Sequence, residues 1–207
     1  MSRIHTVASE GAALAAMSEF ARPLAPVLLL YDEGLEELHE RLVRRFLAIR
    51  TKEDHVLVLP GEHMHSMADF YDQCIRVMPE CASYFGRNLD ALDEVLRDPG
   101  LGLATQRSQG TFWVWRSFDQ LFVNDTNFAS RACHALVENA DEVCRGAMSG
   151  KEDPTQAQPV VILLTGRWSV LGSHASAGKS FLNWMVCSHY LQAPEWPTNL
   201  TTIHLQV

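Results

Sequence analysis

The stretch PVVILLTG, residues 159–166, decides the fold that the sequence predicts. Six consecutive apolar or β-branched residues stand between its proline and its glycine, a pattern typical of a strand buried on both faces of a sheet. Two further short apolar strands are predicted upstream, HVLVL at 55–59 and TFWVW at 111–115. In the latter we expect one of Trp113 and Trp115 in the core. Helical segments separate these strands, so the sequence predicts an α/β fold with a small parallel sheet and right-handed crossovers.

The segments between the strands carry the signals of helix starts and ends. Ser66 is the predicted N-cap of one helix, with Asp69 three positions later as in a capping box. A longer helix is expected from about 127 to 145, closed by Gly146. Asn88 is the predicted N-cap of another helix, whose inner face is expected to consist of Leu89, Leu92, Val95 and Leu96.

Extensions flank the core region of residues 55–166 on both sides. Residues 1–54 contain predicted helices at 8–20 and 35–50, and the apolar strand VLLLY at 27–31. Residues 167–207 contain a predicted helix at 178–192 and a final strand at 200–206.

The two extensions are open to two interpretations. In the first, residues 1–207 form a single domain, and the strands of the extensions lengthen the three-stranded sheet at its edges. In the second, the C-terminal extension forms a separate binding surface with Trp184, Tyr190 and Trp196.

The composition of the chain indicates which class of partner the protein binds and in which cellular compartment it acts. Asp and Glu outnumber Lys and Arg by 25 to 17, and the formal charge of −8 argues against nucleic acid as the direct ligand and favours a basic partner. The five cysteines form no Cys-x-x-Cys pair, as expected for reduced thiols in the cytoplasm. No apolar run reaches the roughly 18 residues of a membrane helix, so no membrane association is predicted.

Motifs for cofactors, metals and catalysis are incomplete. The segment GSHASAGKS at 172–180 has five residues between its glycines where a phosphate-binding loop has four. Glu62, His63 and His65 offer too few ligands for a metal site, and no cysteine lies in a nucleophile motif. We therefore predict no cofactor, no metal and no enzymatic activity.

The segment YFGRNLDALDEVL, residues 84–96, resembles the central motif of the barstar family, the intracellular inhibitors of the ribonuclease barnase. Upstream, VLVLPGEHMHSMADFYDQC at 56–74 is similar to the first strand, Gly-Glu turn and first helix of that family. Downstream, WVWRSFDQLF at 113–122 resembles the second strand, and PVVILLTG stands where the last strand is expected. The four blocks follow in the family's order, and the two extensions have no counterpart in barstar itself.

This resemblance implies an immunity protein that places carboxylates in the basic active site of a nuclease toxin, above all a ribonuclease. Position by position, it implies partner contacts from a loop aromatic, a loop glycine, the helix entry and the acids after it, namely Tyr84, Gly86, Asn88, Leu89, Asp90, Asp93 and Glu94. Asp93 departs from the family pattern, which has tryptophan there in its best-understood member. A further acidic contact from the long helix falls near Glu138 or Asp141.

The acids of this helix also have a simpler interpretation. Asp90 and Glu94 are four residues apart, so they lie one above the other and can imitate the charges of adjacent phosphates. Acids in the first turn of a helix are also common partners of its positive end. An interaction module that binds a partner other than a nuclease remains the alternative function, and the sequence leaves the oligomeric state open.

Overall fold

A computed structural model describes residues 3–20, 27–50, 55–83, 85–98, 110–146, 153–176 and 201–206. Over these ranges the chain alternates strands and helices. The strands are β1 (Arg3–Val7), β2 (Val27–Tyr31), β3 (His55–Pro60), β4 (Thr111–Arg116), β5 (Val160–Arg167) and β6 (Thr201–Leu205). The helices are α1 (Glu10–Phe20), α2 (Glu36–Arg50), α3 (Met67–Val77), α4 (Leu89–Arg97), α5 (Phe118–Asn124), α6 (Thr126–Arg145) and α7 (Trp168–Ser176).

The six strands form one parallel sheet in the order β1-β6-β2-β5-β4-β3. The three predicted core strands are neighbours in it, with β4 between β3 and β5. The α/β fold class is therefore confirmed.

The expected lengthening of the sheet by terminal strands is also confirmed, with two differences in detail. All the added strands lie on the β5 side of the core, so β2 and β6 are inner strands, and the outer strand is β1, which the sequence did not predict. The C-terminal strand β6 lies between β1 and β2, and Ile203 stands opposite His5 on one side and Leu29 on the other.

Helices cover both faces of the sheet and enclose two apolar cores. The first core lies under α3, α4, α5 and α6, and the second lies under α1 and α2. Trp113 and Trp115 are both buried in the first core, where one of the two was expected. Residues two positions apart in a strand point to the same face, and that face is covered by helices along its length.

The predicted helix boundaries in the core region are confirmed. The Ser66 hydroxyl accepts a hydrogen bond from the Asp69 amide, and the Asp69 carboxylate accepts one from the Ser66 hydroxyl. The hydrogen bond from the Ser66 hydroxyl, with a second from the His65 amide, holds the pKa of the Asp69 carboxyl below its usual value. Gly146 closes α6 with a φ of 70°, a left-handed conformation that favours glycine. The predicted helix at 178–192, with Trp184 and Tyr190, and Trp196 after it lie outside the described residues.

His39 of α2 is a buried histidine that the fold keeps neutral. Its residue surface is 2% exposed and its ring stacks on Tyr31 at a centroid distance of 4.3 Å. Burial is the main cause that lowers its pKa to about 4, with Glu40 and Glu36 acting in the opposite direction and Arg116 in the same one. As the pH falls, this ring is therefore protonated in the unfolded chain at a higher pH than in the folded protein.

We expect the free energy of unfolding to fall as the pH drops from about 6.5 towards 4. In that window the unfolded chain binds a proton that folded His39 does not, which costs about 1.4 kcal/mol of stability per pH unit. Urea unfolding of the wild type and of His39→Phe at several pH values measures this slope. The phenylalanine keeps a ring against Tyr31, so its pH dependence should be shallower by that amount; equal slopes would contradict the assignment.

Candidate functional site

The end of the loop between α3 and α4 that lies next to α4 is anchored to α3. Phe85 is buried and packs edge-on against Tyr71 of α3 with 5.4 Å between ring centroids. Arg87 forms an ion pair with Asp72, also of α3. Tyr84, the predicted aromatic contact, lies outside the described residues. The residues that follow it are therefore held against α3 by both apolar and ionic contacts.

Helix α4 divides into an apolar face and an acidic face, as its sequence period predicted. Leu92, Val95 and Leu96 are buried in the first core. Asp90 and Glu94 are exposed, and none of the residues that the structure describes forms an ion pair or hydrogen bond with either carboxylate. We call Asp90 and Glu94 the acidic surface. Within the described part of the chain, no cationic side chain compensates their charges.

The predicted helix entry has structural contacts of its own. The Asn88 side chain accepts a hydrogen bond from the Ala91 amide at 2.8 Å, which caps α4. Leu89 is half-buried and packs against the first core. These contacts explain why both residue types stand at this point, and a contact with a partner by the exposed parts of either residue stays a prediction.

Gly86 is exposed beside the start of α4. A Cβ atom built on it lies 3.4 Å from the side-chain nitrogen Nδ2 of Asn88 and 3.8 Å from the Ala91 Cβ, which are ordinary contacts. The free protein therefore does not need glycine here for space. The missing side chain leaves the backbone open to close approach from outside, which is what a partner-facing glycine provides.

Asp93 has different surroundings from the two acids beside it. It is half-buried, its Oδ1 accepts a hydrogen bond from Nδ2 of Asn139 at 2.7 Å, and its Oδ2 lies 3.5 Å from Arg97. The sequence indicates the Arg97 contact by its four-residue spacing. It gives no sign of the contact with Asn139 of α6, which is 46 residues away.

The two candidate acids on α6 differ in how they are paired. Glu138 is 54% exposed, with its carboxylate 3.5 Å from His134 one turn earlier. Asp141 is held by Arg145, with 2.9 Å between the carboxylate and the guanidinium. Which of them contributes to binding stays a prediction, although Glu138 has the more available charge.

The described cysteines carry no reactive thiol. Burial raises the pKa of Cys133 to about 12 and raises that of Cys74 well above its usual value. It also raises the pKa of Cys81 and Cys144, while Cys187 lies outside the described residues. Thiols with a raised pKa stay protonated at neutral pH, and the thiolate is the nucleophilic form.

Two other features bear on the kind of site. Within the described ranges, His, Cys, Asp and Glu side chains form no group of three or more that is placed to hold a metal ion. None of the described helices is both long and apolar enough to cross a membrane. Residues 172–176 of the segment 172–180 form the end of α7, and its Gly-Lys-Ser ending lies outside the described residues.

Comparison with known proteins identifies a family and shows similarity to solved structures. The family described as Barstar (barnase inhibitor) matches residues 54–160, which is just over half of the chain. No curated protein matches the sequence. The solved structure of the Aeropyrum pernix ORC2 protein, in ADPNP and ADP complexes, matches with a TM-score of 0.54 and 11% identity. The match covers 94% of this chain and 46% of that one, and at such low identity it concerns the fold alone.

Proposed function

Because the chain belongs to the barstar family, we propose that it inhibits a ribonuclease or a related nuclease toxin by covering the active site of that enzyme. Family membership itself suggests a role as a barnase or ribonuclease inhibitor. The finer proposal is that the loop and α4 make the contact, through Tyr84, Gly86, Asn88, Leu89 and the acidic surface.

The observation that carries this proposal is the exposure of Asp90 and Glu94, neither of which pairs with a cation in the part of the chain that the structure describes. A nuclease binds phosphates with Arg and Lys side chains, so its empty active site is a concave basic surface. Two carboxylates one helical turn apart offer that surface the charge of two adjacent phosphates without a bond that can be cleaved. Charge-assisted hydrogen bonds from guanidinium groups to carboxylates are among the strong contacts in protein interfaces.

The contacts that hold the binding segment in place support the same proposal. The N-cap of α4, the burial of Phe85 and the Arg87–Asp72 pair hold residues 85–88 and the start of α4 in place in the unbound protein. A segment that is already ordered loses little conformational freedom on binding, which favours tight inhibition.

We propose that the protein acts without catalysis, like other members of its family. An immunity protein must meet its toxin inside the producing or resistant cell, so we place this one in the cytoplasm. Its partner is then a basic nuclease, with no direct contact to nucleic acid.

Inhibition of RNA cleavage tests the proposal directly. The purified chain is titrated against barnase and a panel of basic microbial ribonucleases and deoxyribonucleases, with cleavage of a fluorogenic substrate as the readout. We expect one enzyme of the panel to lose activity at a one-to-one ratio. Binding to a non-nuclease protein with no nuclease inhibited at micromolar excess would contradict the proposal.

One observation favours the alternative of an interaction module. The sheet has six strands, three of them from the extensions, and α1 and α2 cover a face that includes these strands. Capture from a lysate, followed by competition between the captured protein and a nuclease, separates the two functions. A partner displaced by Ala substitutions on α2 but not by substitutions on α4 would support the interaction module.

A further inference from the structure

We infer that Asp93 is a positioning residue. It fixes the direction in which the acidic surface faces and does not itself contact the target. The link to the target rests on the proposed function, but the positioning itself can be measured on the protein alone.

The first step is the hydrogen bond between α4 and α6. Asn139 is fully buried, and its Nδ2 donates to Asp93 Oδ1 and to the Ala135 carbonyl oxygen, each at 2.7 Å. An amide nitrogen has two hydrogens, so both are used. Removal of the Asp93 carboxylate would leave one buried donor without an acceptor, which is more damaging than the loss of an exposed contact.

The second step is the charge of Asp93. Arg97 lies 3.5 Å from its Oδ2, and the Nε of Arg97 lies 2.9 Å from the Glu142 carboxylate of α6. The negative charge of Asp93 is thus partly compensated inside the chain, by a guanidinium that it shares with Glu142. Asp90 and Glu94 have no such partner among the described residues, so their charges are more available to a basic active site than that of Asp93.

The third step is the need for a directional contact. Helix α4 has nine residues, too few to be stable by itself, so its orientation depends on tertiary contacts. Its buried leucines and valine hold it on the core, but hydrophobic contacts are not directional. A hydrogen bond to the fixed side chain of Asn139 limits rotation about the helix axis. That rotation would turn Asp90 and Glu94 away from a partner.

Amide hydrogen exchange of two variants tests the positioning role. Asp93→Ala removes the acceptor for Asn139, whereas Asp93→Asn removes the charge and keeps an oxygen acceptor. We expect Asp93→Ala to lower the protection of α4 amides about tenfold or more relative to those of β5, the effect of losing one hydrogen bond to a charged acceptor. We expect Asp93→Asn to restore most of the protection. Asp90→Ala, on the exposed face of the same helix, is the matched control and should leave the Leu92–Leu96 amides nearly unchanged.

Binding of the inhibited nuclease, with barnase as the first probe, separates positioning from contact. We expect Asp93→Asn to recover most of the affinity that Asp93→Ala loses, while Asp90→Asn does not recover the loss of Asp90→Ala. The inference would be overturned if Asp93→Asn lost as much affinity as Asp90→Asn. It would also be overturned if the α4 amides of Asp93→Ala were as protected from exchange as those of the wild type. If the wild type binds no nuclease, the proposed function fails, and the exchange result still decides the positioning role.

Discussion

Replacing Ile203 by aspartate is expected to abolish the cooperative folding of the whole chain. Ile203 is fully buried in the second core and stands at the centre of β6, between β1 and β2. A carboxylate there has to give up its hydration in an apolar environment, which costs at least several kcal/mol. The total stability of a domain is only about 5–15 kcal/mol, so one such change consumes much or all of it.

Circular dichroism and thermal melting, with two control variants, measure this effect. Gln206→Asp introduces the same charge at an exposed position just past β6, and Ile203→Val removes one methylene, for an expected loss of about 1 kcal/mol. Both should melt cooperatively near the wild-type temperature. A soluble Ile203→Asp variant with unchanged melting would show that β6 is not part of the sheet.

The same variant also tests whether residues 1–207 form a single domain, as we propose. In that case all helical signal is lost in one step. A variant that loses only part of its helical signal and still inhibits a nuclease would show that residues 55–166 fold independently of the two extensions.

Neutralising the acidic surface is expected to remove most of the affinity for the target nuclease. Truncation of one partner of a buried charge pair typically costs about 2–5 kcal/mol, so Asp90→Ala should raise Kd about thirtyfold or more. The double variant Asp90→Lys/Glu94→Lys should not bind at all, because it places like charges opposite each other. The stability of the single variants should change by no more than about 1 kcal/mol, since both residues are exposed.

Glu37 of α2 provides a matched control for this prediction. It is an exposed acid in the first turn of its helix, as Asp90 is in α4, but α2 covers the opposite face of the sheet. Glu37→Ala should therefore bind like the wild type. Equal loss of affinity in both variants would mean that the overall negative charge, and not α4, attracts the target. Isothermal titration at two salt concentrations would measure both effects.

The sequence predicted the core region well because each of its elements is defined by its own residues. The apolar run of β5 and the Ser66 and Asn88 caps need no information from elsewhere in the chain. The two faces of α4 follow from the three- and four-residue spacing of its leucines and acids. For this reason the exposed state of Asp90 and Glu94 was predictable.

The features that the sequence did not predict depend on distant segments. β1 reads RIHTV, a short mixed run at the edge of the sheet, without the continuous apolar pattern that identifies the inner strands. The position of β6 beside it is set by pairing between residues almost 200 positions apart. The contact of Asp93 with Asn139 likewise depends on how α4 and α6 pack against each other. The helical pattern of either segment does not predict that packing.

The place of β6 between β1 and β2 has a consequence for synthesis on the ribosome. β1 leaves the exit tunnel before the other five strands of the sheet, yet its neighbour β6 is the last of the six to be translated. Until then β1 has no native strand to pair with, and the β2 edge that β6 will cover stays open. The nascent chain thus carries unpaired strand edges until β6 emerges, and we expect it to be most prone to aggregation during this interval.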